Sequence, residues 1–321
     1  MTSIFEKVSK ISLGVLMALG ILSAAAAPAM AASHERFVMI YHSPDSDSWW
    51  NTVKNGVKIA ADQMNVTVDI RNPTTGDLAD MARIVQQATA SNPDGIIVTI
   101  ADFDVLSGPV RDAVDQGIPV ITINSGTHEQ SEKLGALLHV GQHEYAAGFG
   151  AGKKAMATGV TSFLCVNHYI TNPASIERCQ GYADALGVDL GSQMIDSGVD
   201  PTEIKNKVIA FLRANPDTNG ILTLGPTSAH ATLAALEQTG RTGDIHFGTF
   251  DLSGEIAKAI KSGVIAFAID QQPFLQGYLP VVILTTLARY GVLPSGHINS
   301  GPGFVVKDNI ALVEKYAGEF R

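Results

Sequence analysis

A small set of side chains stands just beyond short apolar runs, or on the helices that follow them: Asp47, Trp49, Trp50, Asp102, Asn124, Asn167, His168, Arg178, Asp251 and Gln271. Amides and carboxylates exchange hydrogen bonds with vicinal hydroxyls, a guanidinium donates in a planar fork, and an indole covers the apolar face of a ring. Trp49 and Trp50 are the only tryptophans in the chain. This inventory suits a hydroxyl-rich, uncharged ligand held by hydrogen bonds and stacking. Polar residues after strands also cap helices and make turns, and Asp104 and Ser253 are read in that role.

The same residues make poor catalytic machinery. Catalysis needs a nucleophile, a metal or a paired acid and base in one cleft. His143-Glu144 lacks the second His, four residues on from the first, that a zinc-protease helix requires. Gly148, Gly150 and Gly152 imitate part of a dinucleotide fingerprint, yet they fall inside a helical pattern, where close helix packing accounts for them. There is no Walker loop, nucleophile elbow or Cys-x-x-Cys. The chain is therefore expected to be no enzyme and to carry neither cofactor nor metal. Net charge is −9 and no Lys/Arg cluster is interleaved with aromatics, so nucleic acid is not an expected partner.

The elements that must position these groups are written twice. Ala90-Ser91-Asn92-Pro93-Asp94-Gly95-Ile96-Ile97-Val98-Thr99 returns, loosened, as Ala214-Asn215-Pro216-Asp217-Thr218-Asn219-Gly220-Ile221-Leu222-Thr223. Proline stops the preceding helix, and the apolar run after Gly reads as a buried strand. Apolar runs near 37–41, 66–70, 95–100, 119–123 and 137–140 form a first set of strands. A second lies near 160–166, 193–195, 220–224, 245–250 and 264–269. Helical patterns intervene at 48–64, 78–90, 144–157, 174–186, 202–214 and 227–238, with a last one at 274–290 that could return to the first set. Strand and helix in alternation predict an α/β fold: two similar doubly wound parallel-sheet lobes with a ligand cleft between them.

Residues 1–31 read as a signal peptide: Lys7 and Lys10, an apolar stretch, then Ala29-Met30-Ala31. The mature chain is expected in the periplasm as a monomer. Cys165 and Cys179 would reach an oxidising space, where a disulfide and two buried thiols are both compatible with the sequence.

Ser48-Trp49-Trp50, Ile121-Thr122-Ile123-Asn124, Arg178-Cys179-Gln180-Gly181-Tyr182, Phe250-Asp251 and Ile269-Asp270-Gln271-Gln272-Pro273, in that order, resemble the ribose-binding-protein-like group of periplasmic solute receptors. The resemblance covers essentially the whole mature chain. It implies a type I periplasmic binding protein whose lobes, joined by three hinge crossovers near 139–141, 270–272 and 300–302, close on a monosaccharide or sugar alcohol and deliver it to the membrane subunits of an ABC importer. The lobes would be 32–139 plus 272–300 and 140–271 plus 301–321. It also implies that Trp49 and Trp50 stack on the ligand, that Asn124 binds hydroxyls from the first lobe, and that Arg178, Asp251 and Gln271 bind from the second lobe or hinge. Two places depart from the pattern: Asn124-Ser125 stands where an Asp-Arg is usual, and Gly225-Pro226 where an Asn-Asp is usual. Both remove polar contacts, which points away from ribose. Alternative outputs of the same fold are ligand presentation to a chemotaxis or quorum-type signalling protein, or an enzyme acting on a sugar.

Overall fold

A computed structural model describes residues 34–321; the signal peptide read in residues 1–31 lies outside the described residues. Strand and helix alternate as the apolar runs require: β1 (Arg36–Ile40), α1 (Trp50–Met64), β2 (Thr67–Arg71), α2 (Leu78–Ala90), β3 (Gly95–Val98), α3 (Phe103–Asp115), β4 (Val120–Ile123), α4 (His128–Leu134) and β5 (Leu138–Gly141). The order then repeats in α5 (Glu144–Met156), β6 (Phe163–Asn167), α6 (Pro173–Leu186), β7 (Met194–Asp196), α7 (Pro201–Ala214), β8 (Gly220–Thr223), α8 (Pro226–Thr239), β9 (His246–Phe250), α9 (Gly254–Ser262), β10 (Phe267–Asp270) and α10 (Pro273–Tyr290). Two short strands close the series, β11 (Ile298–Asn299) and β12 (Gly303–Val306).

These strands form two six-stranded sheets, ordered β11-β5-β4-β3-β1-β2 and β12-β10-β9-β8-β6-β7. Parallel strands need crossover helices, and helices on both faces leave a strand no solvent side. Accordingly β3, β4 and β8 are buried at every position. β12 departs from the parallel expectation and runs antiparallel to β10.

The repeated phrase does the same work in both lobes. Gly95 pairs with Phe37 of β1, and Gly220 pairs with Phe163 of β6. The residue before each glycine anchors the start of that neighbouring strand: Asp94 Oδ2 accepts from Arg36 N at 2.8 Å, and Asn219 Oδ1 from Thr161 N and Ser162 N at 3.0 and 3.1 Å.

The fifth helix of each series leaves its own lobe. α5 follows β5 yet packs on α6, and α10 follows β10 yet packs on α1. Glycine makes both seams close: a Cβ at Gly148 would sit 2.1 Å from Arg178 O, and one at Gly277 would sit 2.1 Å from Val53 O. The three glycines of the apparent fingerprint lie within α5, with Gly148 and Gly152 against α6.

The chain passes between lobes after β5, after β10 and between β11 and β12. The first passage falls at Gln142 and His143, later than the expected 139–141, because Val140 and Gly141 are still paired with β11. The other two fall at Gln271–Gln272 and Ser300–Pro302. Residues after β12 pack chiefly on α9 of the second lobe, while Asn55 Nδ2 of α1 donates to Glu319 O at 2.9 Å. Among the described residues, no helix is long and apolar enough to cross a membrane.

Candidate functional site: a cleft between the lobes

Parallel strands point their carboxyl ends the same way, so the loops after β1, β4, β6, β8, β9 and β10 converge. They line one cleft, bounded in part by His42, Asp47, Trp49, His168, Arg178 and Asp251.

The tandem tryptophans divide their roles. Trp50, the first residue of α1, is 1% exposed and stacks on Tyr41 with ring centroids 4.4 Å apart. It touches the cleft, but its ring is buried in the apolar core of the first lobe, whereas Trp49 is only partly buried. Trp49 stands edge-on to Trp50 at 5.0 Å, and its side chain reaches the Asp251 carboxyl of the other lobe, whose pKa that contact pulls down. Asp47 Oδ1 accepts from Trp49 N at 3.2 Å, and burial raises the pKa of its carboxyl.

Asn124 and Asp251 end β4 and β9 in the left-handed backbone region, at φ 58° and 65°. Short polar side chains tolerate that region and turn back on their surroundings. Asn124 Nδ2 donates to Gln271 Oε1 at 3.1 Å and to Gln276 Oε1 at 3.2 Å. Gln271 Nε2 in turn donates to both Asp251 oxygens at 2.9 and 3.0 Å. Burial pushes the Asp251 carboxyl up to about 7, against the pull of Arg178 and the Gln271 bonds.

Arg178, on α6, is 6% exposed. Its Nε donates to Glu144 Oε2 at 2.6 Å and one terminal nitrogen to Glu144 Oε1 at 2.9 Å; the other donates to Leu224 O at 3.2 Å. The guanidinium lies 4.4 Å over the Phe250 ring. Behind it, a disulfide joins Cys165 of β6 to Cys179 of α6, both fully buried.

Burial keeps both cleft histidines neutral, pushing His42 down to about 3 and His168 to about 4. His42 Nδ1 meets Thr99 Oγ1 at 3.1 Å, whereas His168 Nδ1 has no partner. The lobes also touch directly. Ser43 Oγ lies 3.1 Å from the Tyr169 hydroxyl, and Asn172 Nδ2 donates to Ser125 Oγ at 2.9 Å.

Two expected site residues stand outside this lining. Asp102 is the N-cap of α3, its carboxylate accepting from Val105 N at 3.1 Å; Asp104, the expected cap, lies two residues later, inside the first turn of the helix. Asn167 is fully buried, with Oδ1 accepting from Tyr169 N and Nδ2 directed at Met194 Sδ. His42, Tyr169, Asn172 and Ser175 line the cleft without having been singled out from the sequence. Asn172, Ser175 and Arg178 recur at threefold spacing along α6, a stripe that could have revealed the first two.

Comparison with known proteins bears on the whole chain. A family model described as a periplasmic binding protein domain matches residues 37–291. The xylose/arabinose-binding protein of Sulfolobus acidocaldarius is 27% identical over 76% of this chain and 65% of its own length. The ribose import binding protein of Salmonella typhimurium is 26% identical over 69% of this chain and 74% of its own. A carbohydrate transporter from Acidothermus cellulolyticus, solved with myo-inositol, superimposes with a TM-score of 0.82 at 31% identity, covering 89% of this chain and 98% of that one. Duplicated lobes, carboxyl-end cleft and a family match across most of the chain agree: the protein belongs to the periplasmic binding protein family.

Proposed function

We propose that this chain is an extracytoplasmic receptor that closes on one small uncharged sugar or sugar alcohol and hands it to the membrane subunits of an ABC importer. The observation that carries this reading is the cleft lining: neutral imidazoles, amides, hydroxyls and two carboxylates around a half-buried indole, with its one guanidinium already paired. Hydroxyls of a polyol can both donate to Asp251 and Asp47 and accept from the remaining N–H of Arg178, while Trp49 covers a ring face. The names of its relatives support the same ligand class, and myo-inositol, bound by the 31% identical transporter, is the first ligand to try. The signal-peptide reading of the N-terminus supports a periplasmic address for the mature protein, which we take to work as a monomer.

Thermal unfolding with a panel of pentoses, hexoses, pentitols, hexitols and myo-inositol tests this. A ligand at a hundred times its Kd stabilises the native state by about 2.7 kcal/mol, a clear rise in Tm. Indifference to the whole panel at millimolar concentration would remove the proposal.

A further inference from the structure

Glu144 touches the cleft only through another residue. It is 3% exposed and lines a second cavity with His128, Glu129, His143 and Glu177, on the far side of Arg178 from the cleft. Its position follows from the close seam described above: Glu144 opens α5, and Gly148, one turn on, lets α5 approach the α6 backbone at Arg178 itself. Both carboxylate oxygens are used by Arg178, and Oε2 also accepts from Gln142 Nε2 at 2.7 Å.

Arg178 is the only lysine or arginine in the cleft lining. A guanidinium with a free edge is a ready two-pronged site for a carboxylate or phosphate. Here that edge is filled from behind, and the positive charge is cancelled before any ligand arrives. The remaining charged groups in the lining, Asp47 and Asp251, are both carboxylates. An anionic ligand entering the cleft would therefore meet no available cation, and would face an Asp251 carboxyl that turns negative as pH rises through about 7.

We propose that Glu144 sets the charge preference of this site: by neutralising Arg178 it makes the receptor take uncharged sugars or polyols and refuse their acids and phosphates. The inference rests on the proposed receptor function and assigns the selectivity to a residue outside the cleft. Glu144 is a positioning residue, acting through Arg178.

The test compares matched probes by isothermal titration on the mature protein: D-galactose with D-galacturonate, and myo-inositol with myo-inositol 1-phosphate. The unaltered protein should prefer the neutral member of whichever pair it binds by at least a hundredfold. Glu144→Gln should narrow that ratio at least tenfold, chiefly by admitting the acid. A merely structural pair would weaken both probes together and leave the ratio where it was. Glu144→Ala gives the same comparison if the glutamine packs badly. Comparable affinity for acid and neutral probe in the unaltered protein, or an unchanged ratio in a folded Glu144 variant, overturns the inference and spares the receptor function. Failure of both neutral probes together with indifference to the whole thermal-unfolding panel overturns both.

Discussion

The two lobes place unlike chemistry on equivalent backbone. By the Phe37–Gly95 and Phe163–Gly220 registers, His42 matches His168, and the ends of β4 and β9 match Asn124 with Asp251. The first lobe offers mainly an indole and neutral hydrogen-bonders. The second offers Arg178, Asp251 and, through the crossover after β10, Gln271, mutually bonded and almost dry. The equivalent frame thus carries a mutually bonded polar set on one side and a half-buried indole on the other. Groups held by one another lose little freedom when a ligand arrives, so discrimination is expected mostly from the second lobe.

Breaking the rigid side should cost most. Arg178→Ala leaves Glu144 buried and unpaired, which lowers stability by about 3–5 kcal/mol, read from urea unfolding. Near-native stability in this variant would mean that the pair is not held as described.

The tryptophans sharpen the contrast within the first lobe. Trp50→Ala empties core volume and should lower stability by about 3–5 kcal/mol. Trp49→Ala should leave folding nearly intact and cost about 1–3 kcal/mol of ligand affinity, with Phe at that position recovering much of it. With no other indole in the chain, intrinsic emission should change on ligand binding and stop changing in Trp49→Ala. Equal affinity with and without Trp49 would dismiss the stacking role.

A pH series tests Asp251 against Asn124, its neutral counterpart. The Asp251 carboxyl sits at about 7 in the fold against an ordinary 3.8, so the folded protein holds a proton there that the unfolded chain has released between those values. Its stabilising contribution is complete below about pH 4 and disappears as pH rises through about 7. His42, His139 and His168, pushed by burial to about 3, about 3 and about 4, stay neutral in the fold while the unfolded chain protonates them near 6.5, so they add a rise in stability up to about that pH, and the Asp251 contribution is read from the difference between variant and unaltered protein. Relative to the unaltered protein, Asp251→Asn should gain stability as pH rises from 5 to 8; a difference that does not change with pH would mean the Asp251 carboxyl is not held protonated in the fold. Hydroxyls donating to the ionised carboxylate should also make ligand affinity rise over the same range.

The smallest effects belong to the contacts between lobes. Tyr169→Phe and Ser125→Ala each remove one hydrogen bond, worth about 1 kcal/mol, from the closed form. The double variant should show a larger radius of gyration than the unaltered protein in small-angle scattering without ligand, and the two should coincide at saturation.

Much of the architecture is legible in the chain because it depends on local rules. The Asn-Pro stops, the apolar runs and the repeated phrase locate β3 and β8, and helices α2 and α7 end at Ala90 and Ala214 where the prolines require. The site is legible only as positions after strands. Helix phase, invisible in a Trp-Trp pair, sends Trp50 inward and leaves Trp49 at the cleft. Asp102 rather than Asp104 caps α3 because Asp102 has the extended backbone that a cap needs, a choice settled by the preceding turn. Glu144 and Arg178 are 34 positions apart and meet only through the α5 to α6 seam. His42 looks like the end of a strand and Tyr169 like loop filler until the lobes face each other.

The exchanged fifth helices also set the order in which the molecule can assemble. The second lobe finds most of its core between α5 and β10, an unbroken stretch of chain. The first lobe, though made earlier, waits for α10: Tyr278 donates to Gln63 across 215 positions and Arg289 to Glu35 across 254. Such distant pairings are slow to form. Until they do, the apolar flank of α1 has no cover, so the leading half of a newly made chain stays unfinished and threadable until nearly all of it has been synthesised.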